Sequence, residues 1–340
     1  MNTNLRNRLR AVAVLTLGAT VMTTQAAAPA YAVLDRIAGP DGGGWDYTTI
    51  DATKRRLYMA RDAGILSMDL DSRQIVPVAI AGAGTHTAAI VGDTGLVLVT
   101  NGNQNNVSVF DTKTQKSLGT VAVGERPDAA IYDPNTKLVA VMNHRGGTVS
   151  LIDPAQLKLV RTIAVGGVLE FAAAAGDGRL FLNIENQHTV AVLDLNAGTV
   201  LKRWVLSGCE EPSGLVYDAE DALVASVCGN GVTKFLHAAD GTEAASLNTG
   251  KGADGLILDA ARKRLFVPAG EDGTLAVVAL GAAPSIVQMV TTAKGARLGA
   301  VDPKSGRIYL PSATMGPPVP PQPWPSIVKG SFAFLVVGAR

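Results

Sequence analysis

Apolar and polar residues alternate along most of this chain in short runs. Val107-Ser-Val-Phe-Asp111, Val149-Ser-Leu-Ile-Asp153 and Val190-Ala-Val-Leu-Asp194 show the pattern most cleanly. A period of two predicts strands rather than helices. The runs sit inside a longer repeat whose starting points recur at Trp45, His86, Pro127, Leu169, Pro212, Ala253 and Ala296, in steps of 41 to 43 residues. Each unit reads as a short small-residue strand (Ala129 to Tyr132), then a turn containing an aspartate (Asp51, Asp133, Asp218, Asp259, Asp302). A second apolar strand follows (Leu57 to Ala60, Leu138 to Met142, Leu265 to Val267), then a polar loop, the alternating strand and an outer strand (Ser117 to Val123, Val160 to Val165). One such four-stranded sheet cannot bury both of its faces, so units of this length must stack around an axis. The pattern predicts an all-β fold, a single seven-bladed β-propeller over residues 33–340.

Ring closure is legible too. The seventh repeat ends at its third strand, Phe332 to Val337, and lacks an outer one, whereas Val33 to Gly39 precedes the first repeat and resembles Val76 to Gly82. The N-terminal segment is therefore expected to complete the last blade and leave no open edge between first and last. Before it, Arg6, Arg8 and Arg10, an apolar stretch from Ala11 to Met22, and Ala30-Tyr31-Ala32 have the layout of a signal peptide, residues 1–32, cleaved near Ala32. A periplasmic or secreted protein follows from that reading. The apolar stretch is too short for a bilayer span, and no transmembrane segment is expected in the remainder. Losing the leader removes three arginines and no acid, taking the formal charge from +1 to −2. That balance offers nothing to a phosphate backbone, so nucleic acid is not an expected partner. A small molecule or a protein at one face of a monomer is.

The repeats resemble the YVTN β-propeller repeat, and the chain resembles YncE-like exported seven-bladed propellers over nearly all of residues 33–340. Leu138-Val-Ala-Val-Met-Asn143 through Gly147-Thr-Val-Ser-Leu-Ile-Asp153 carries the strongest likeness. The resemblance implies the fold. It does not imply one function, because that superfamily includes binding scaffolds, lactonase-like hydrolases, lyases and subunits of redox enzymes. The fifth repeat departs by having His237 where earlier units have Asp, the sixth lacks that acid, and the seventh carries an insertion.

Candidate chemistry gathers where the first strands begin, at the expected mouth of the central channel. The second residue of each repeat should lie there: Asp46, Thr87, Asp128, Glu170, Ser213, Asp254 and Arg297. Four acids among seven invite a divalent cation of the calcium or magnesium type, held by Asp46, Asp128, Glu170 and Asp254. The competing reading is that they bond backbone amides and pair with Arg297. Loops between second and third strands add Asn101 and Asn143 to the mouth. His86 and His144, in adjacent blades, are candidates for an acid/base pair or transition-metal ligands beside Asp128 or Glu170.

Cys209 and Cys228 should reach the same end of one blade, and export makes a disulfide the leading reading. Pro311 to Pro325 holds seven prolines, expected to run extended over the functional face, either as a rigid insertion packed against the ring or with Met315 and Trp324 as a lid or docking surface. The chain has no C-x-x-C-H, H-E-x-x-H, G-x-S-x-G or phosphate-loop motif. Two functions fit these residues. The first is an interaction scaffold taking a ligand, metal or protein at the mouth. The alternative is a lactonase-like hydrolase or lyase, with the mouth carboxylates binding a divalent ion and His86 or His144 moving a proton.

Overall fold

The computed structural model describes residues 30–318 and 325–340; most of the expected leader and part of the proline-rich insertion, Trp324 included, lie outside them. Seven four-stranded antiparallel sheets form the seven blades, and apart from two single-turn 3₁₀ segments the described chain contains no helix. The inner strands of blades one to five are Trp45–Asp51, Thr85–Val91, Pro127–Asp133, Leu169–Ala174 and Pro212–Asp218. In blades six and seven they shrink to Ile257–Asp259 and Ala300–Val301. Each blade from one to six then runs outward in chain order.

The turn aspartates act through their carboxylates. Asp51 accepts from the Thr53 and Lys54 amides and the Thr53 hydroxyl, and Asp133 holds the Thr136 amide and hydroxyl in the same way. Such local bonds satisfy backbone groups that the hairpin leaves without strand partners. Between blades, the two faces bring side chains together in shared clusters. Phe181 of blade four, buried, packs 5.7 Å from Trp204 of its own outer strand and 5.3 Å from Tyr217 of blade five. Each large apolar side chain so buried contributes roughly 1.5–3 kcal/mol.

Blade seven closes the ring as expected. Its order outward is Ala300–Val301, Ile308–Ser312, Ala333–Ala339 and then Tyr31–Ala38 from the start of the described chain. The closing strand starts at Tyr31, two residues earlier than the sequence pattern marks. Tyr31 earns its place: its backbone and the Gln288 side chain of blade six exchange two hydrogen bonds of 2.8 Å, and its ring stands edge-on to Phe266 at 5.1 Å. The N-terminal strand thus ties blade seven to blade six as well as to the C-terminus.

The insertion differs from the extended course anticipated for it. Met315–Pro318 and Pro325–Ile327 pair as a short antiparallel ribbon, with Ile327 packed against the cluster between blades seven and one. A cavity of about 440 Å³ lies between this ribbon, Gly42–Gly44, Trp45 and Arg297. No helix among the described residues is long and apolar enough to cross a membrane.

Candidate functional site at the channel mouth

A backbone irregularity builds the mouth. In blades one to five the pairing of inner and second strands slips by one residue between the first and fourth positions: Pro127 faces Asn143 but Ala130 faces Val141, and Trp45, Thr85, Leu169 and Pro212 begin the same slip. A bulge of this kind re-aims the side chains within it. Here it turns the second residue of each inner strand to the mouth. By this register the second residue of blade two is His86; the sequence pattern had given that place to Thr87. Thr87 is buried one step deeper, its amide bonded to the Thr100 hydroxyl.

Blades one to four thereby line up an alternating row of carboxylates and imidazoles. His86 Nδ1 donates to Asp46 Oδ2 at 2.7 Å and lies 3.4 Å from Asp128 Oδ1. His144, just past the second strand of blade three, sets its Nδ1 3.8 Å from Asp128 Oδ2 and 3.0 Å from Glu170 Oε1. Two backbone contacts fix that ring: the Leu169 amide donates to the His144 carbonyl, and His144 Nδ1 lies 3.1 Å from the Leu169 carbonyl oxygen. The five side chains are 13–25% exposed. Among the described residues, none of the three carboxylates forms an ion pair with lysine or arginine.

This setting governs the protonation of the row. Burial and the neighbouring Asp46 charge push the Asp128 carboxyl up to about 8, against the opposing influence of His86. Burial likewise raises Glu170, although its bond to His144 opposes the shift. Burial disfavours a charged His86, but the Asp46 bond and the Asp128 charge outweigh it and hold the imidazole above its ordinary value. The Glu170 bond does the same for His144. All four shifts favour the protonated forms of Asp128, Glu170, His86 and His144.

The far side of the ring is organised differently. Asp254 is taken up by Arg297, whose Nε lies 2.9 Å from Asp254 Oδ2, so it does not join the other three acids. Ser213 bonds the Ala253 carbonyl at 3.3 Å. A cavity of about 480 Å³ separates this pair from Glu170 and includes Glu185, Glu211 and Glu271 in its wall. Asn101 and Asn143 are not at the mouth surface. Both are buried, with Asn101 Nδ2 donating to Asn106 and Ser108, and Asn143 Nδ2 to Thr148 and Ser150. They brace hairpins. The matching spacing, an Asn followed five and seven residues later by small polar side chains in adjacent repeats, was the sequence signal for that role.

Two residues absent from the sequence-based set shape the site. Tyr47 and Phe171 occupy third positions where the repeat favours small side chains, and their rings meet across the channel with centroids 4.8 Å apart. Tyr47 also donates its hydroxyl to Glu170 Oε2 at 3.4 Å, so this aromatic pair is a floor beneath the row. Below it lies a largely apolar cavity of about 490 Å³ reaching Ile90, Ile131 and Leu256. Cys209 and Cys228 form a disulfide within blade five, at the mouth end of its sheet.

No family model matches the chain, and no curated protein matches it in sequence. Solved structures do. The chain is similar to the WD40 repeats of RRP9, at 12% identity and a TM-score of 0.76, over 92% of this chain and 99% of that one. It is also similar to a chain of the mitotic checkpoint complex, at 14% identity and a TM-score of 0.71, over 90% and 96%. A chain of the Kuenenia stuttgartiensis hydrazine synthase follows at 17% and 0.68, over 79% and 93%. At such identities the likeness defines the fold alone: a seven-bladed β-propeller with WD40-repeat structural neighbours.

Proposed function

We propose that this protein is an exported, YncE-like binding propeller that takes a positively charged ligand at the channel mouth. One observation carries the reading: Asp46, Asp128 and Glu170 converge, mostly buried, with imidazoles rather than lysine or arginine between them. A carboxylate satisfied by lysine or arginine is committed to structure, as Asp254 is. One satisfied by a proton can exchange that proton for another cation. The aromatic floor closes the site below and makes it a cup. Export is supported by the leader-like pattern at the start of the chain, with cleavage placed before Tyr31 because the closing strand uses that residue, and by the Cys209–Cys228 disulfide, which suits an oxidising compartment.

Thermal unfolding with charged probes tests the reading. Mn²⁺, Zn²⁺, Ca²⁺ and spermidine are compared with sulfate and ADP, on the native chain and on the triple variant Asp46→Asn, Asp128→Asn, Glu170→Gln. At a hundredfold excess over its dissociation constant a ligand adds about 2.7 kcal/mol, which moves the midpoint by a few degrees. At least one cation should do this in the native chain and not in the variant. If only anions shift the midpoint, or the triple variant responds as the native chain does, the reading is wrong.

A further inference from the structure

We infer that the mouth is a dinuclear site for first-row transition ions, with Asp128 as the carboxylate shared between the two metals. The inference rests on the reading of the mouth as a cation seat and specifies its occupant. Two sets of three donors exist: Asp46, His86 and Asp128, and Asp128, His144 and Glu170. Within each set one ligand atom per residue lies within 4.8 Å of the others, close enough to converge on one ion with side-chain adjustment. The sets share a single residue, and they use different oxygens of it. Asp128 Oδ1 faces His86 and Oδ2 faces His144, the arrangement of a carboxylate that bridges two ions.

Donor chemistry selects the metal class. Each set supplies one imidazole nitrogen and two carboxylate oxygens. The imidazole nitrogen suits zinc, copper, iron and nickel, and the two carboxylates extend the set to manganese, whereas calcium and magnesium favour all-oxygen shells. This departs from the calcium or magnesium type to which the acids alone point. Three protein ligands per ion also leave open coordination positions toward the solvent, as in sites where a metal engages a further ligand. Each imidazole presents Nδ1 inward, where its hydrogen is bonded to carboxylate oxygen, and the ion would replace that hydrogen.

A separate feature guards the geometry of the first set. A side chain at Gly102 would place its Cβ 2.7 Å from His86 Nε2 and 2.9 Å from its Cδ2. Gly102 does not adopt a positive φ, so conformation does not demand glycine there. Space for the outer edge of the imidazole does. His144 is held from its own side by the Leu169 backbone, so both rings are fixed before any ion arrives.

Metal content per chain, measured by native mass spectrometry after equilibration with Zn²⁺ or Mn²⁺ and desalting, tests the assignment. The native chain should retain two ions. His86→Ala and His144→Ala should retain one each, and Asp128→Ala should weaken both sites at least tenfold. Coupled spectra from the Mn²⁺-loaded native chain, giving way to isolated-ion spectra in either histidine variant, would confirm the shared carboxylate. Circular dichroism and thermal midpoints of the metal-free variants separate lost ligands from lost fold. Retention of one ion by the native chain, or loss of only one in Asp128→Ala, overturns the dinuclear assignment. If Ca²⁺ or spermidine stabilises the native chain while Zn²⁺ and Mn²⁺ do not bind, this inference fails and the cation seat stands. If no cation binds, both fail.

Discussion

The two halves of the mouth occupy equivalent backbone positions and do opposite things with them. In blades one to four the second residues of the inner strands are Asp46, His86, Asp128 and Glu170, joined by His144, and the acids are partnered by imidazoles rather than by lysine or arginine. In blades five to seven the matching repeat positions hold Ser213, Asp254 and Arg297, the last two lying ahead of the shortened inner strands, and the one acid is paired with a guanidinium. The backbone follows suit. Complete, bulged inner strands support the first half. In the second, blade five keeps a complete, bulged inner strand while those of blades six and seven shorten, and the chain there runs so close to blade five that a Cβ on Gly214 would lie 2.7 Å from the Gly255 Cα. One repeat thus yields a reactive half and a braced half, and only the side chains projected by the bulge decide which.

The largest way to perturb this division is to open the braced half. Deleting residues 1–40 removes the outer strand of blade seven and with it the burial of Tyr31 and Ile37. About 3–6 kcal/mol should be lost from those side chains, on top of the strand pairing, seen as a thermal midpoint lower by about 10 °C. A deletion that melts like the full chain would show that the Tyr31–Ala38 strand does not hold the ring. Next is the Cys209–Cys228 link of blade five, which closes a loop separated by 19 residues. Reduction should cost about 3 kcal/mol in urea unfolding, and should leave cation binding at the opposite half unchanged.

Glycine substitutions compare the halves directly. Gly214→Ala presses against backbone, which cannot yield, and should cost about 3 kcal/mol. Gly102→Ala meets a side chain that can turn aside, and should cost about 1 kcal/mol while weakening metal retention in the set that includes His86. Equal stability losses with binding intact in both would erase the distinction.

A reversible test is pH. In metal-stripped protein, Asp128 titrates near 8 in the folded ring and near 3.9 when unfolded. A raised folded value means that the stabilisation is complete below about pH 4 and is lost as pH rises through 8. His86, His144 and Glu170 are raised as well and act in the same direction. The groups around them are Asp46, Tyr47, Asp254, Glu185 and Arg126. Urea midpoints should therefore fall between pH 5 and pH 8, and Asp128→Asn should flatten the fall. A midpoint that rises over this range would contradict the assignment of protons to the row.

The ring was legible because strand alternation and turn aspartates recur at every blade, and its closure because Val33 to Gly39 resembles an outer strand with no other place to go. The mouth was only partly legible. Asp46, Asp128, Glu170, Asp254 and Arg297 follow from repeat position alone. His86 was assigned one place too early, because a bulge does not show in apolar–polar alternation and Thr85 and Thr87 flank it symmetrically. The separation of Asp254 from the other acids depends on where the Arg297 side chain turns, a choice made in space. Asn101 and Asn143 look like mouth residues in one repeat and reveal their bracing role only when compared across two. Tyr47 and Phe171 stood out as large residues in a small-residue strand, yet their meeting joins blades one and four, and no local pattern encodes a contact across the axis.

The central claim is that the reactive half seats two metal ions around Asp128. Anomalous diffraction at the zinc edge from crystals grown with Zn²⁺ tests it most directly. The account predicts two peaks per chain, one among Asp46, His86 and Asp128 and one among Asp128, His144 and Glu170, with none beside Asp254 and Arg297. A single peak, or a mouth without any, would contradict it.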